Sequence, residues 1–201
     1  PNVAIITGIE WDHINVFPTF DIYREQFSKF IDLIEPDGTL VYCDEDAEVH
    51  LVATENRRTD IQKLPYVCPE HSVVGGVTYI GDTALKIFGH HNLLNLTAAH
   101  LACRQVGVTD EQFDEAIGFF EGASKRLELV KKSDTCAVYK DFAHAPSKLR
   151  ATIHAMREQY PDRRLVACME LHTFSSLTAE FLQQYAHSMD EADVRCVYFS
   201  Q

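Results

Sequence analysis

The sequence predicts an α/β protein in which the strands of a parallel sheet alternate with helices. Short continuous apolar runs, such as Val3–Ile6 and residues 40–43, are typical of strands that are buried on both faces. Apolar residues at helical spacing follow the first run, with Phe20, Phe27 and Ile34 on one stripe. Alternation of this kind implies parallel sheets and the α/β class.

The other elements follow from the same two patterns along the chain. Further strands are predicted over residues 77–80, 135–139, 165–169 and 194–199. Further helices are predicted over residues 44–55, 91–106 and 175–186, between Thr109 and Gly122, and from Pro146 to about residue 160. Gly107 ends the long helix, and Thr109 has the spacing of a capping box with Gln112. The remaining residues between 56 and 83 give no clear pattern.

Charge divides the chain into two parts. Residues 1–122 contain 7 Lys and Arg against 20 Asp and Glu, whereas residues 123–201 contain 11 against 10. We therefore expect two domains, 1–122 and 123–201, with a boundary near Gly122. The net charge of −12 argues against a nucleic-acid partner, which needs a basic face, but it permits a nucleotide held by a few local cations.

Apolar runs and cysteine spacing predict the cellular location of the protein. The longest apolar runs are too short to span a bilayer, and no signal-peptide pattern opens the chain. None of the six cysteines has C-x-x-C spacing, so we expect free thiols and a cytoplasmic location without membrane insertion. Because the chain begins with Pro1 and not Met, we also expect a fragment or a processed form of a longer protein.

Polar residues capable of chemistry follow three of the predicted strands. They are Glu10, Asp12 and His13 after the first, Asp141 and His144 after another, and Glu170 and His172 after a third. Ligands of open α/β sheets bind outside the carboxyl ends of the strands, so these positions form the candidate site. Asp12 and His13 suit either a magnesium site or a strand-end turn, and each His is also open to a purely structural role.

The run Gly89-His90-His91-Asn92-Leu93-Leu94-Asn95 opens the long helix. Asn92 and Asn95 are three residues apart and share a face, where two carboxamides match the edge of a purine. The alternative is an ordinary polar first turn with an Asn cap. Arg126 can hold a phosphate through its planar guanidinium or can be solvated. Asp141 can accept hydrogen bonds from a ribose or can cap the following helix.

A series of motifs in this order resembles the Mur ligase family. They are residues 9–13 (IEWDH), 89–95 (GHHNLLN), 120–128 (FEGASKRLE), 140–146 (KDFAHAP) and 171–176 (LHTFSS). The resemblance covers nearly the whole chain. It implies part of a P-loop-type central ATP-binding domain followed by the start of a Rossmann-like C-terminal ligase domain. Lys140, Ala145 and Ser176 depart from the family, where Asp, His and Arg are usual.

The resemblance also implies ATP and Mg²⁺ as cofactors and a role for each candidate residue. In the order of the chain, His13 binds magnesium, Asn92 and Asn95 face the adenine, Arg126 lies by the phosphates, Asp141 lies by the ribose, and His144 and His172 line the cleft for an incoming amine. The phosphate-loop pattern Gly-x-x-x-x-Gly-Lys-Ser/Thr does not occur in these 201 residues. We therefore expect residues 1–201 alone not to hydrolyse ATP.

The implied activity is an ATP-dependent, ADP-forming amide ligation through an acyl phosphate. Residues 126–129 and 141–144 most resemble the family member that joins UDP-N-acetylmuramate to the peptide L-alanyl-γ-D-glutamyl-meso-diaminopimelate in peptidoglycan recycling. The member that joins UDP-N-acetylmuramate to L-alanine is the alternative. A non-catalytic nucleotide-binding relative is a third possibility, because of the departures at Lys140, Ala145 and Ser176.

Overall fold

The computed structural model describes residues 1–11, 16–171 and 182–199 of the chain. The strands are β1 (Val3–Ile6), β2 (Thr39–Cys43), β3 (Gln62–Tyr66), β4 (Ser72–Val74), β5 (Val77–Ile80), β6 (Thr83–Leu85), β7 (Glu128–Lys132), β8 (Ala137–Lys140), β9 (Val166–Leu171) and β10 (Val194–Phe199). The α-helices are α1 (Phe20–Asp32), α2 (Ala47–Glu55), α3 (His90–Gln105), α4 (Asp110–Ile117) and α5 (Pro146–Gln159). A 3-10 helix covers Gln183–Tyr185. None of the helices in the described ranges is long and apolar enough to cross a membrane.

Contacts between residues divide the chain into two units. Unit 1 consists of Pro1–Pro69 and Asn92–Ala116, and unit 2 consists of Glu70–His91 and Ile117–Gln201. Parallel pairing occurs in both units, and antiparallel pairing occurs in unit 2. The predicted α/β class is therefore confirmed as a mixed α/β fold.

Unit 1 is built around the parallel sheet β1-β2-β3. β2 pairs with both neighbours, and all five of its residues are buried. Helices α1 and α2 pack on this sheet and contribute fully buried side chains such as Ile31 and Val49. The two apolar runs and the helical stripe that begins at Phe20 form the elements predicted for them, because their period matches the faces that the fold buries.

Strand β3 was not predicted, and it lies in the segment without a clear sequence pattern. Pro65 lies within this strand and cannot donate a hydrogen bond to a neighbour. The sheet order places β3 at an edge, where the loss of one donor is tolerated. Its Lys63 donates from Nζ to the carbonyl oxygens of Ala53 at 2.9 Å and Asn56 at 2.6 Å, so it also satisfies the end of α2.

Side-chain caps fix the starts of three helices. Thr19 accepts a hydrogen bond from the Ile22 backbone N–H at the start of α1. The capping box predicted before α4 is present, with Thr109 and Gln112 exchanging side-chain to backbone hydrogen bonds of 3.0 and 3.3 Å. The cap of α2 is Asp46, which belongs to the candidate site described below.

The described residues of unit 2 form three small sheets and helix α5. Strands β4, β5 and β6 form an antiparallel sheet, β7 and β8 form an antiparallel pair with a bulge, and β9 pairs in parallel with β10. Leu149 and Ile153 of α5 pack against Met169 of β9 in one apolar cluster. The predicted buried face of this helix is confirmed at these two positions. Strand β7 was not predicted, because residues 128–132 lie between the predicted helix that ends at Gly122 and the strand predicted from residue 135.

Residues 70–91 pack on the end of α5. Thr78 of β5 donates from its hydroxyl to the Gln159 side-chain carbonyl at 2.8 Å, and both residues are buried. The ring of Phe88 contacts the rings of Tyr139 and Tyr160 edge-on. A buried polar pair and an aromatic cluster therefore attach this segment to unit 2.

Candidate functional site

In unit 1, Asp46 joins the carboxyl ends of β1 and β2. Its Oδ1 accepts hydrogen bonds of 3.0 Å from the backbone N–H groups of Glu48 and Val49, and its Oδ2 accepts one of 3.1 Å from Ile9. A single carboxylate thus caps α2 and holds the segment that follows β1. Asp12 and His13 lie outside the described residues, so the predicted magnesium ligand His13 stays a prediction.

The start of α3 carries the predicted purine-binding residues. Asn92 is half-buried and Asn95 is exposed, three positions apart on the helix. Gly89 precedes the helix with φ of +87°, and a Cβ atom built on it would lie 2.5 Å from the Ala155 Cβ of α5. Only glycine fits this backbone conformation and this close approach. The first residue of the motif is therefore explained by packing within unit 2.

The turn that contains Arg126 is fixed by hydrogen bonds on both sides. Leu127 has φ of +46°, is buried, and donates its backbone N–H to Asp141 Oδ2 at 2.7 Å. The Phe142 N–H donates to the Lys125 carbonyl oxygen at 2.9 Å. Arg126, between Lys125 and Leu127, is exposed. The structure therefore brings two predicted ligand-binding residues, Arg126 and Asp141, to one place.

Asp141 does not cap the following helix, which was one alternative from the sequence. The N-cap of α5 is Ala145, which makes no side-chain cap hydrogen bond, and Pro146 opens the helix. Asp141 is half-buried, and the Leu127 N–H binds its Oδ2. Within the described residues no donor reaches Oδ1. The carboxylate is thus held in place by one oxygen, and its other oxygen can accept hydrogen bonds from a ligand.

His144 is oriented by its neighbours in unit 2. Its Nδ1 lies 3.0 Å from the Phe142 carbonyl oxygen, and its own carbonyl oxygen accepts a hydrogen bond from the Tyr185 hydroxyl. Burial raises the pKa of Tyr185, which keeps this donor protonated. His172 lies outside the described residues, so its predicted role at the amine cleft stays a prediction.

A cavity of about 780 Å³ in unit 2 is lined by the strand-end residues Asp141, His144 and Glu170. The strand-end rule placed these three residues in one site, and the structure brings them to one cavity. Strands β8 and β9 both line it, and α5 contributes apolar side chains. Lys125 and Lys140 add positive charge to the lining.

Lys140, one of the departures from the family pattern, is paired in register with Glu128 across the β7–β8 hairpin. The pKa of Glu128 is lowered, first by a hydrogen bond from the Lys125 backbone N–H and then by one from Ser124, with a smaller effect of the Lys140 charge. Glu128 therefore remains ionised beside Lys140 and fixes the turn that precedes Asp141.

His91, the second residue of α3, was not among the residues selected from the sequence. Burial lowers the pKa of His91, and the negative charge of Asp141 opposes this effect, whereas the charges of His90 and Arg126 reinforce it. The side chain is half-buried and stays neutral near neutral pH. The only sequence signal for His91 was its place between Gly89 and Asn92 in the motif.

Comparison with known proteins matches both parts of the chain to one family. A family model described as the Mur ligase middle domain matches residues 1–103, and one described as the Mur ligase, glutamate ligase domain matches residues 125–201. A UDP-N-acetylmuramate–L-alanine ligase of Desulfitobacterium hafniense is 29% identical over 96% of this chain and 45% of that protein.

Two solved structures show the same fold. A UDP-N-acetylmuramate–alanine ligase from Thermotoga maritima has a TM-score of 0.73 at 20% identity, over 100% of this chain and 46% of that chain. A murein peptide ligase from Psychrobacter arcticus has a TM-score of 0.57 at 19% identity, over 98% of this chain and 43% of that chain. The chain spans less than half the length of the relatives it matches.

Proposed function

The chain belongs to the Mur ligase family, and from this premise we propose that it is the nucleotide-binding part of an ATP-dependent, ADP-forming ligase. In the full-length protein this ligase joins UDP-N-acetylmuramate to L-alanine. The nucleotide-binding role is carried by one observation, that the turn containing Arg126 is tied to Asp141. The Leu127 N–H, next to Arg126, donates a hydrogen bond of 2.7 Å to Asp141 Oδ2. The matched L-alanine ligase supports the substrates. Residues 1–122 then belong to the central ATP-binding domain and residues 123–201 to the C-terminal ligase domain.

The proposed roles follow from the chemistry of each side chain. Arg126 binds phosphate through its planar guanidinium, and Asp141 Oδ1 accepts hydrogen bonds from the ribose hydroxyls. The carboxamides of Asn92 and Asn95 offer donors and acceptors to the adenine edge. His144 orients the incoming amine, with His172 as a second group at that cleft.

In the proposed reaction the carboxylate oxygen of UDP-N-acetylmuramate attacks the γ-phosphorus of ATP, and ADP leaves. The amine nitrogen of L-alanine then attacks the acyl phosphate carbon, loses a proton, and expels inorganic phosphate. Arg126 stabilises the negative charge on the phosphate chain, which is the main task of a protein in phosphoryl transfer. His144 has its Nδ1 engaged with the Phe142 carbonyl, which leaves Nε2 free to face the amine.

His13 is the one residue for which we propose a role as a magnesium ligand. Among the described residues there is no group of three His, Cys, Asp or Glu side chains that could hold a metal ion. Magnesium dependence of the full-length protein, with His13→Ala as the variant, tests this part separately.

The second candidate is ligation of UDP-N-acetylmuramate to the tripeptide L-alanyl-γ-D-glutamyl-meso-diaminopimelate. It is supported by the resemblance of residues 126–129 and 141–144 and by the similar fold of the murein peptide ligase. Product formation by the full-length protein with ATP, UDP-N-acetylmuramate and either L-alanine or the tripeptide separates the two. No amide product with either amine would leave only the non-catalytic nucleotide-binding role, which is motivated by the departures at Lys140, Ala145 and Ser176.

Arg126→Ala tests the nucleotide site in the full-length protein. Loss of a charge-assisted contact to phosphate costs about 1.5–3 kcal/mol, so we expect the Kd for ATP to rise roughly 10- to 100-fold. Arg150→Ala, at an exposed position on α5 of the same unit, is the matched control and leaves the Kd unchanged. Equal ATP affinity of the two variants in isothermal titration calorimetry would contradict the placement of phosphate at Arg126.

A further inference from the structure

Two exposed cysteines lie opposite each other on neighbouring strands of unit 2. Cys168 of β9 is paired in register with Cys196 of β10. Both are free thiols, and both are exposed. Among the strand pairs that the structure describes, this is the one register position at which two cysteines meet. The proposed nucleotide-binding and ligase roles use neither of them.

The register brings the two thiols together. In-register neighbours of a sheet project their side chains from the same face, and adjacent strands lie about 4.8 Å apart. This spacing falls within the Cα separations of about 4.4–6.8 Å that a disulfide can bridge. The pKa of the Cys168 thiol is raised, first by partial desolvation and then by a hydrogen bond with the Cys196 side chain, so the two groups are in contact. The pairing runs without a shift from Val194 to Phe199, which holds the register on both sides of the cysteines.

Packing does not account for these two cysteines. A cysteine that serves only packing behaves as a small apolar residue and is normally buried. Cys43 of β2 is such a residue, with 2% exposure in the core of unit 1. In β9 it is Met169 that packs on α5, and successive residues of a strand point to opposite faces. Cys168 and Cys196 therefore lie on the face away from α5, where a small reagent can reach them.

We propose that Cys168 and Cys196 form a dithiol that a hydroperoxide oxidises to a disulfide, which links β9 to β10. This modification site is independent of the proposed ligase function. Cys168 also lines the cavity that contains Glu170, two positions further along the same face of β9. The new bond therefore forms in the wall of that cavity.

The oxidation takes place in two steps. One thiolate attacks an oxygen of the hydroperoxide and becomes a sulfenic acid, the O–O bond breaks, and the released hydroxide takes up the proton that the thiol lost. The second thiol then attacks the sulfenic sulfur, so the S–S bond forms and a further water leaves. Two thiols thus give two electrons and two protons to one hydrogen peroxide, which becomes two waters. An exposed disulfide is more readily reduced than a buried structural one, so a dithiol reductant restores the thiols.

The experiment treats the folded full-length protein with hydrogen peroxide, blocks the remaining thiols with N-ethylmaleimide and digests the protein with trypsin without reduction. Trypsin cleaves after Arg164 and Arg195, so Cys168 and Cys196 fall on separate peptides that only a disulfide keeps together. Mass spectrometry should find these two peptides linked, with the loss of two hydrogen atoms. Dithiothreitol should separate them.

Two variants give the comparison. Cys168→Ser should lose the linked peptide completely and should carry Cys196 as a sulfinic acid, because no neighbouring thiol is left to resolve the sulfenic acid. Cys136→Ser, at an exposed cysteine outside the pair, is the matched control and should form the link as fully as the wild type. If Cys168→Ser does not fold, Cys196→Ser provides the same test, and the wild type digested with and without dithiothreitol decides the question by itself.

Three results would overturn the inference. The first is a folded wild-type protein in which Cys168 and Cys196 stay unlinked, whether they remain thiols or become sulfinic acids. The second is a link that forms only after the protein is unfolded in urea. The third is an equal yield of peptides that join Cys136 to either cysteine, which would show that the strand register does not select the pair. None of these results depends on nucleotide binding, so they leave the proposed function untouched.

Discussion

Strands β2 and β10 have similar sequences and opposite environments. Both are short apolar runs in parallel sheets, but all five residues of β2 are buried, whereas five of the six residues of β10 are exposed. β2 has a strand on each side and helices of unit 1 packed on its sheet. β10 has one neighbouring strand, β9, among the described residues. An apolar run thus gives a strand in both units, and its burial depends on what the rest of the fold places around it.

The two units also differ in how the strands with candidate site residues at their ends are paired. In unit 1 the central strand has both edges paired, and its carboxyl end is tied to α2 by Asp46. In unit 2, β8 and β9 line the same cavity and do not pair with each other. The strands described in unit 1 therefore form one sheet, whereas those of unit 2 form separate sheets, with β9 packed against α5.

The largest effect should come from removing a central side chain of β2. Leu40→Ala deletes a side chain with 0% exposure, so we expect a loss of about 2–5 kcal/mol in the free energy of unfolding. Val197→Ala in β10, at 51% exposure, should cost less than about 0.5 kcal/mol. Urea unfolding of both variants measures the difference. Similar losses would show that β10 is as buried as β2 in the protein in solution.

A smaller effect should come from the cap that joins β1 to α2. Asp46→Ala removes the acceptor for three backbone N–H groups, so we expect a loss of about 1–2 kcal/mol. Asp46→Asn keeps one oxygen and should lose only part of this. Glu55→Ala at the exposed end of α2 is the control. An unchanged unfolding midpoint for Asp46→Ala would contradict a stabilising role of these three hydrogen bonds. Helix α5 of unit 2 offers no equivalent variant, because its N-cap Ala145 makes no side-chain hydrogen bond.

The smallest effect should be a change in how the free energy of unfolding depends on pH at acidic pH, and it concerns a residue of unit 2. The pKa of Asp193 is lowered from 3.8, first by a hydrogen bond from Arg157 and then by one from the Leu165 N–H. The folded state therefore protonates Asp193 less readily than the unfolded state does. Asp193 thus adds to the free energy of unfolding above pH 3.8, and this addition is lost as the pH falls through the lowered pKa of the folded state. Asp193→Asn should be less stable than the wild type at pH 7 and approach it near pH 3. A difference that stays constant with pH would refute the ion pair.

The sequence was sufficient to predict those elements whose signal lies within a few neighbouring residues. The helical stripe from Phe20 gave α1, and the box of Thr109 and Gln112 gave the start of α4, because these signals depend on residues a few positions apart. The strand-end rule selected Asp141, His144 and Glu170, which line one cavity, although β8 pairs antiparallel with β7 and only β9 belongs to a parallel pair. These predictions needed no knowledge of which strands pair.

The sequence was insufficient where distant residues decide the outcome. β3 contains Pro65 and is tolerated because its place is at an edge. β7 depends on pairing with β8 across the turn that Glu128 fixes. The approach of the segment before α3 to α5 and to the turn at Leu127 depends on an apolar cluster of Phe88, Leu127 and Ala155, which are far apart in the chain.

The sequence by itself therefore determined the α/β class, the family and the side chains available for chemistry, because periodicity and short motifs are local properties. The tertiary structure alone decided which apolar strands are buried, which oxygen of Asp141 is held by the fold, and that the turn carrying Arg126 is tied to Asp141. These depend on packing between segments that are separated along the chain, and no local pattern encodes that packing.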